Sequence, residues 1–297
     1  MTKSRVESIC TAIIKAFERP NKLLELVESI RKYYPELSII IVDDSKIKLE
    51  YDWDDYTTYK HVDYDIGLAE GRNIAVREVK TPYTLLLDDD FYFTENTKID
   101  VFLNIIEEHT FDLVAGDVID NGTQTRLFRG DFQIKENKLY LKLKVSNQKK
   151  GQYPEFDFVV NFFLARTELL LQSPWDKDLK VREHEDFFVR LKKTKAKITF
   201  TPDVSIFHYP NMEKRETSDV YQKMRHKRLK HFHRLACEKI GVDDIVFNAS
   251  IMFKAYSTWV GWLNTSDSFL AKVSWPLWRF LHPLIRRVYH LWLKKIR

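Results

Sequence analysis

An apolar run that ends in three consecutive aspartates constrains the fold of this chain more than any other feature. Residues 83–87 read Tyr-Thr-Leu-Leu-Leu and lead directly into Asp88, Asp89 and Asp90. A short apolar run bounded by polar residues is typical of a strand buried on both faces of a helix-covered parallel sheet. Ligands of such sheets bind at the carboxyl ends of the strands, so we expect these carboxylates at the mouth of a cleft.

The three aspartates also favour a cation. Adjacent carboxylates repel one another, and Mg²⁺ or Mn²⁺ would remove that repulsion while also binding phosphate oxygens. In an extended chain Asp88 and Asp90 point to one side and Asp89 to the other, which predicts an Asp-x-Asp pair facing the ligand. The triplet taken alone is also compatible with a solvated acidic turn.

The first 45 residues predict a strand, a helix and a second strand. Residues 9–17 are apolar, Pro20 is placed to begin a helix, and Pro35 is placed to end it. Residues 37–42 are apolar again and lead into Asp43 and Asp44. A βαβ unit of this kind brings the two strands parallel, so the two acids emerge at the same sheet edge as Asp88. They can accept hydrogen bonds from a nucleoside, or belong to a turn or a helix cap.

A glycine-containing segment precedes the acidic strand. In residues 65–73, Gly67 and Gly71 would let the backbone approach a ligand at the start of a helix, and Arg72 supplies a cation. This arrangement suits a diphosphate. The G-x-G-x-x-G spacing of dinucleotide-binding proteins is absent.

Length and composition indicate a globular protein. With 297 residues the chain can form one large α/β domain and an appendage. Cys10 and Cys237 are the two cysteines, too few and too distant in sequence for a disulfide framework or a thiolate metal site. We find no secretory signal and no run of eighteen apolar residues, so we expect a cytoplasmic protein.

The last thirty residues are basic and aromatic. Residues 268–297 contain seven Lys or Arg and no Asp or Glu, and five of the seven Trp lie in the last forty residues. This composition suits a helix in the interface of an anionic membrane, although a helical cap on the main domain is the alternative. Clustered aromatics are less typical of nucleic-acid binding, which we do not expect. We therefore divide the chain into a catalytic domain, residues 1–235, and a helical, membrane-associating segment, residues 236–297.

The order of these motifs resembles the GT-A-fold glycosyltransferases of the family-2 type. The resemblance extends over residues 8–235. The segments 159–167 (Val-Val-Asn-Phe-Phe-Leu-Ala-Arg-Thr) and 184–188 (His-Glu-Asp-Phe-Phe) are similar to those of the β-1,4-N-acetylgalactosaminyltransferases that build gangliosides. The resemblance implies a Rossmann-like α/β fold with a C-terminal helical extension. It further implies metal-dependent, inverting transfer of a hexose or N-acetylhexosamine from a UDP-sugar to a glycan hydroxyl, in the synthesis of a surface polysaccharide or glycolipid.

The resemblance also implies roles for individual residues. Asp90 is the first choice of metal ligand, and Asp88 would contact the ribose or share the metal through water. His208, from a later strand, matches the third metal-side position, although a histidine after a strand can also be structural. Asp186 matches the catalytic base that precedes an apolar helix, and Glu185 is the second choice. Trp175 and Phe162 are candidates for acceptor contact, although Phe162 is equally compatible with a core position. The predicted donor-binding residues are Ala16, Glu18, Arg19, Asp43, Asp44, Gly67, Gly71, Arg72, Asp88, Asp89 and Asn161.

Two other functions are compatible with parts of the sequence. A sugar-phosphate nucleotidyltransferase also combines acids, a metal and an α/β sheet, but residues 11–21 lack the glycine-rich basic loop that such enzymes carry. A non-catalytic carbohydrate-binding or membrane-scaffold protein would tolerate Asp186→Asn without loss of function.

Overall fold

The computed structural model describes residues 4–122, 124–144, 152–209 and 216–248. The strands in these residues are β1 (Cys10–Ala16), β2 (Ser38–Asp43), β3 (Thr57–His61), β4 (Tyr83–Asp88), β5 (Phe91–Tyr92), β6 (Leu113–Asp120), β7 (Gln124–Thr125), β8 (Gly130–Lys135), β9 (Lys138–Leu143), β10 (Phe163–Arg166), β11 (Ile198–His208) and β12 (Asp244–Asn248). The helices are α1 (Arg5–Ile9), α2 (Pro20–Tyr33), α3 (Leu68–Glu78), α4 (Ile99–His109), α5 (Thr167–Gln172), α6 (Glu183–Thr194) and α7 (Glu216–Ile240).

A large sheet forms the centre of the fold. Its strand order is β3-β2-β1-β4-β10-β6-β11-β5, and β7 pairs with β6. Strands β1 to β4 run parallel, β6 and β11 run parallel to each other, and β10 lies antiparallel between β4 and β6. Helix α3 packs on β1 and β2, while α4 packs on β6, β10 and β11. Helices that cover the sheet explain why every residue of β1 is buried.

The βαβ unit predicted from the first 45 residues is confirmed. Pro20 occupies the first turn of α2, where its missing N–H costs no hydrogen bond. Leu23, Leu26 and Ile30 recur at helical spacing and are fully buried. The helix ends at Tyr33, before the proline at position 35.

The strand register brings the predicted site residues to one edge of the sheet. Ala16 at the end of β1 lies beside Asp43 at the end of β2, and Lys15 lies beside Asp88 at the end of β4. On the other side of β10, Asp120 ends β6 beside His208, which ends β11. Because β10 runs in the opposite direction, the residues that precede it lie at this same edge.

A smaller sheet of β8, β9 and β12 includes residues that we assigned to the C-terminal segment. Helix α7 continues past residue 235 to Ile240, and β12 pairs parallel with β9. The predicted domain boundary therefore falls inside a helix, and residues 236–248 belong to the folded domain. Residues 249–297, which carry the predicted membrane-associating helix, lie outside the described residues. Among the residues described, none of the helices combines the length and apolarity that crossing a bilayer requires.

Candidate active site

Asp88, Asp89 and Asp90, here called the acidic triplet, make two different sets of contacts. Asp88 is the last residue of β4 and accepts a hydrogen bond from Arg72 Nη2 at 2.9 Å. Asp89 and Asp90 follow in a turn, and both are ion-paired with the guanidinium of Arg19. The predicted alternation, with Asp89 facing away from its neighbours, is therefore wrong because the chain is no longer extended after Asp88.

The turn places two buried carboxylates side by side. Burial would raise the pKa of Asp90, but hydrogen bonding to His208 and the charge of Arg19 outweigh it and lower the pKa below its usual value. Burial dominates at Asp89 and raises its pKa, although Arg19 opposes the shift and Phe17 N donates a hydrogen bond to Oδ2 at 3.1 Å. Asp90 is thus the carboxylate that stays ionised.

His208 lies between two carboxylates. Its Nε2 is 3.2 Å from Asp90 Oδ2, and its Nδ1 is 2.7 Å from Asp120 Oδ1. Burial would lower the pKa of His208, but the two carboxylates raise it to about 9. Burial likewise opposes the ionisation of Asp120, yet His208 and Arg126 lower its pKa to about 2. Sequence reasoning missed Asp120, because its partner lies 88 residues further along the chain.

The donor set of this cluster fits a divalent ion. Carboxylate oxygen and imidazole nitrogen both bind Mn²⁺. An octahedral ion with bonds of about 2.1 Å places neighbouring ligands about 3 Å apart. The 3.2 Å between His208 Nε2 and Asp90 Oδ2 matches that separation. Asp90 and His208 would therefore hold the ion, with Asp88 at the adjacent strand end.

Asp43 and Asp44, here called the acidic pair, are engaged within the chain. Asp43 accepts hydrogen bonds from Ser45 N at 2.9 Å and from Tyr59 OH at 2.7 Å. Asp44 is ion-paired with Lys15 and accepts from Gly67 N at 3.0 Å. Both carboxylates are buried. Their position beside the triplet is as predicted, but their oxygens are occupied by protein groups instead of facing an open cleft.

Lys15 was not predicted to contribute to this region. It is buried in β1, where desolvation lowers its pKa although Asp44 acts in the opposite direction. Its Nζ also donates to Ala16 O at 2.7 Å, so the carbonyl of Ala16 already has a partner. A single lysine in an otherwise apolar strand gives no sequence signal that its ammonium group is buried.

The loop after β1 carries Glu18 and Arg19. Glu18 has a φ of 56°, an uncommon conformation for a residue with a side chain. Hydrogen bonds from Glu18 N to Ser45 Oγ (2.7 Å) and from Lys46 N to Glu18 Oε1 (2.8 Å) hold it there. Arg19, one quarter exposed, extends from this loop to the triplet, so the structure joins these two predicted donor-binding segments.

The two glycines of residues 65–73 accommodate lysine side chains. A Cβ at Gly71 would lie 2.4 Å from Lys15 Cδ, and one at Gly67, whose φ is +96°, would lie 3.0 Å from Lys180 Cγ. Arg72 is 1% exposed and binds Asp88. The predicted close approach of a diphosphate to this backbone and to Arg72 is therefore wrong in this structure; the segment instead positions Lys15 and Asp88.

Asn161 and Phe162 precede β10 at the site edge. Asn161 Oδ1 is buried and has no hydrogen-bond partner among the described residues. Phe162 is fully buried, with its ring against Phe91 and Phe102. Of the two positions that we left open for Phe162, the structure selects the core, and its ring cannot contact an acceptor.

The first turn of α6 carries three acids with different partners. Glu183 Oε1 lies 3.7 Å from Arg72 Nη1, which connects it to Asp88. Asp186, three residues later on the same helical face, accepts from Arg190 Nε at 2.8 Å. Glu185 accepts from Arg182 Nη1 at 2.6 Å; burial would raise its pKa, but Arg182 lowers it. Glu183 is a residue of this region that sequence reasoning did not select.

Trp175 is a core residue in this structure. It is 2% exposed and its ring stacks on Phe187 with centroids 4.4 Å apart. Its backbone exchanges hydrogen bonds of 2.8 and 2.9 Å with the Asn73 side chain. The predicted stacking of Trp175 on an acceptor sugar is therefore wrong, because both the ring and its surroundings are already packed.

Comparison with known proteins identifies the family. The family model described as "Glycosyl transferase family 2" matches residues 11–172, more than half of the chain. The chain belongs to glycosyl transferase family 2. This membership agrees with the enzyme class inferred from the motifs and argues against the nucleotidyltransferase alternative.

Curated relatives and solved structures agree with this assignment. Mouse "Beta-1,4 N-acetylgalactosaminyltransferase 2" is 39% identical over 194 residues, and human "Beta-1,4 N-acetylgalactosaminyltransferase 1" is 32% identical over 193. Each match covers 62% of this chain and 36% of the relative, so the chain spans about a third of those proteins. The crystal structure of S. aureus TarS 1-349 superposes with a TM-score of 0.54 at 15% identity, covering 90% of this chain and 77% of TarS. The predicted GT-A fold is thereby confirmed.

Proposed function

We propose that this family-2 domain transfers an N-acetylhexosamine, GalNAc or GlcNAc, from a UDP-sugar to a glycan hydroxyl, with inversion and with a divalent metal. The observation that carries the proposal is the contact between Asp90 and His208 at the carboxyl edge of the sheet, two residues after Asp88 at the end of β4. The names of the relatives, which are N-acetylgalactosaminyltransferases, support the sugar. A TarS structure described as a complex with UDP-GlcNAc, with a TM-score of 0.52, has the same fold.

Asp90 and His208 would hold Mn²⁺ or Mg²⁺, and Asp88 is positioned to assist. The ion would neutralise the negative charge that develops on the departing diphosphate. Arg72 fixes Asp88 from within the core, and Arg19 neutralises Asp89 beside it. The ordered carboxylates would thus hold the ion and, through it, the diphosphate end of the donor.

Asp186 is the proposed base. The acceptor hydroxyl gives its proton to a carboxylate oxygen of Asp186 while the hydroxyl oxygen forms a bond to the anomeric carbon. The bond from that carbon to the diphosphate oxygen breaks, and its electron pair leaves on UDP. Glu185 is the second candidate; each of the two carboxylates is ion-paired with one arginine, and Asp186 is preferred because it matches the position of the base in the family.

Phe17 and Tyr64 are candidates for contact with the nucleoside. Their rings lie 5.7 Å apart beside the loop that carries Arg19, and Tyr64 is 49% exposed. An exposed ring at the donor end of the cleft offers an apolar face for the uracil base. Sequence reasoning missed both, since neither belongs to a recognisable motif.

The test is UDP release from UDP-GalNAc, UDP-GlcNAc, UDP-galactose and UDP-glucose, with Mn²⁺ or with EDTA, in the presence of a panel of galactosides. We expect EDTA-sensitive release from an N-acetylhexosamine donor.

Asp186→Asn should reduce turnover by about 10² to 10⁴-fold, while calorimetric binding of the donor is retained. Glu185→Gln is the matched control and should keep most of the activity. Turnover that survives Asp186→Asn would refute the assignment of the base, and a product with the anomeric configuration of the donor would refute inversion.

We further propose that the acceptor belongs to a surface polysaccharide or glycolipid and that the enzyme works at the cytoplasmic face of a membrane. The proposal rests on the basic and aromatic composition of residues 268–297. The full chain should sediment with vesicles that contain phosphatidylglycerol and be released by high salt. Equal binding to vesicles of phosphatidylcholine alone would contradict this electrostatic attraction.

A further inference from the structure

Asp120 is held against His208 by the register of two strands. It is the last residue of β6, and its Cα partner across the parallel pair with β11 is His208. Their side chains are also in contact, with Asp120 Oδ1 at 2.7 Å from His208 Nδ1. Asp120 is 7% exposed, so this contact is shielded from water.

The backbone around His208 is fixed on both sides. Asn121 N donates to His208 O at 2.9 Å, and Tyr209 N donates to Asp90 O at 3.0 Å. The ring of Phe91 meets the imidazole edge-on, with centroids 5.8 Å apart. With Nδ1 directed to Asp120, Nε2 is directed to Asp90 Oδ2 at 3.2 Å.

Arg126 contacts both Asp120 and the imidazole of His208, since its Nη2 also lies 2.9 Å from His208 Nδ1. Its Nη2 is 2.7 Å from Asp120 Oδ1 and its Nε is 3.4 Å from Oδ2, while its backbone N donates to Val118 O at 2.7 Å. The carboxylate is therefore oriented by a fork-shaped donor that belongs to a neighbouring segment. Asp120 and Arg126 thus both face His208 Nδ1, the ring nitrogen opposite the one directed to Asp90.

We propose that Asp120 is a positioning residue for the metal site: it accepts the Nδ1 proton of His208 and so presents the Nε2 lone pair, together with Asp90, to the divalent ion. The inference rests on the metal dependence proposed above. A carboxylate on the second nitrogen fixes the tautomer and the ring orientation of a ligating histidine, and loss of such a partner costs about 10 to 100-fold in metal affinity. Asp120 would thus control metal affinity without touching the metal or the substrate.

The experiment is a titration of the full chain with Mn²⁺ in the presence of UDP, followed by the loss of the free-ion electron paramagnetic resonance signal. Asp120→Ala should weaken Mn²⁺ binding by about 10 to 100-fold. Asp120→Asn should weaken it less, because an amide oxygen still accepts the Nδ1 proton. Asp117→Asn is the matched control, since it removes the same charge from the same strand three residues away from the cluster, and it should bind like wild type.

A double variant separates positioning from a general structural role. If Asp120 acts through the imidazole, then Asp120→Ala combined with His208→Ala should bind Mn²⁺ no more weakly than His208→Ala alone. A further loss in the double variant would overturn the inference. So would wild-type affinity in both Asp120 variants while His208→Ala is weakened; the proposed metal site would then stand without Asp120. If the wild type itself binds no Mn²⁺, the metal dependence is wrong and the inference falls with it.

Should Asp120→Ala fail to fold, Asp120→Asn and Arg126→Gln decide whether Asp120 positions His208, and Mn²⁺ affinities equal to wild type in both variants would overturn the inference.

Discussion

The acidic pair and the acidic triplet end neighbouring parts of one sheet, yet they are held in different ways. Asp44 is ion-paired with Lys15, and both side chains are almost completely buried. Asp90 is ion-paired with Arg19, which extends from a loop and is one quarter exposed, and with His208. The pair and Asp88 are therefore held by buried groups, whereas Asp89 and Asp90 are held by the partly exposed Arg19.

This difference separates structural acids from acids that are available to a ligand. A buried carboxylate that loses an equally buried partner leaves an uncompensated charge, so the acidic pair stabilises the strand ends. Of the partners of Asp90, Arg19 is one quarter exposed, and the imidazole of His208 can exchange a proton for a metal ion. Under the proposed function, two acidic strand ends of similar sequence serve different purposes, because their partners differ.

The largest expected effect is the loss of activity in Asp90→Asn. Removing the charge that holds the ion should reduce transfer by about 10³-fold or more, because a metal contributes several kcal/mol to stabilising charge in the transition state. Loss of the ion pairs with Arg19 and His208 will also lower the thermal midpoint in EDTA, so activity is compared per amount of folded protein. Asp44→Asn, its counterpart in the acidic pair, should lower the midpoint while the folded fraction retains activity. A reversal of these two outcomes would break the comparison.

The next largest effect is on stability, in Lys15→Met. Loss of the ammonium group leaves Asp44 as an unpaired buried charge, which should cost about 3 to 5 kcal/mol in the free energy of unfolding by urea. Lys15→Met combined with Asp44→Asn should recover much of that loss, since no charge is left unpaired. Lys22→Met is the control: Lys22 is also buried, but its partner Glu25 is half exposed and can be solvated. If Lys15→Met and Lys22→Met lost equal amounts of unfolding free energy, the unpaired buried charge of Asp44 would not be the cause of the destabilisation.

The sequence predicted the frame of the site because its signals are local. Apolar runs, Pro20 and the acids after β2 and β4 determine which strand ends meet at one edge, and the register confirms it. The charge partners are not local. Lys15 is a single lysine in an apolar strand, and Asp120 depends on a residue 88 positions away.

Side-chain burial is the second feature that could not be predicted from the sequence. Trp175 is an aromatic residue of the type that contacts acceptor sugars, but its ring stacks on Phe187 inside the domain. Gly71 is a glycine of the type found in phosphate-binding loops, but the space beside its Cα is filled by the Lys15 side chain. In both cases the residue type suits a ligand equally well, and only the packing of distant segments reveals that the space is occupied.

The third prediction concerns pH. The two carboxylates raise the pKa of His208 to about 9 against the opposing effect of burial. A histidine whose pKa is higher in the folded state stabilises the protein fully below pH 6.5, its usual pKa, and the contribution is lost as the pH rises through 9. Urea unfolding in EDTA should therefore show a decline on the order of 3 kcal/mol between pH 6.5 and 9.5. His208→Gln should remove this decline; a decline of the same size in that variant would assign it to other groups, and the triplet would lose its link to His208.

The smallest expected effect comes from Tyr59→Phe, which tests whether the acidic pair contacts the donor. Tyr59 OH donates to Asp43 Oδ2 at 2.7 Å, and Asp43 keeps its hydrogen bond from Ser45 N when the hydroxyl is removed. Loss of one hydrogen bond to a carboxylate with a remaining donor should cost about 1 to 2 kcal/mol in stability. If Asp43 is structural, the Michaelis constant for the UDP-sugar will stay unchanged. If Asp43 instead binds the nucleoside, as its position after β2 suggested, freeing an oxygen will change that constant, and the acidic pair will have to be counted with the triplet as part of the donor site.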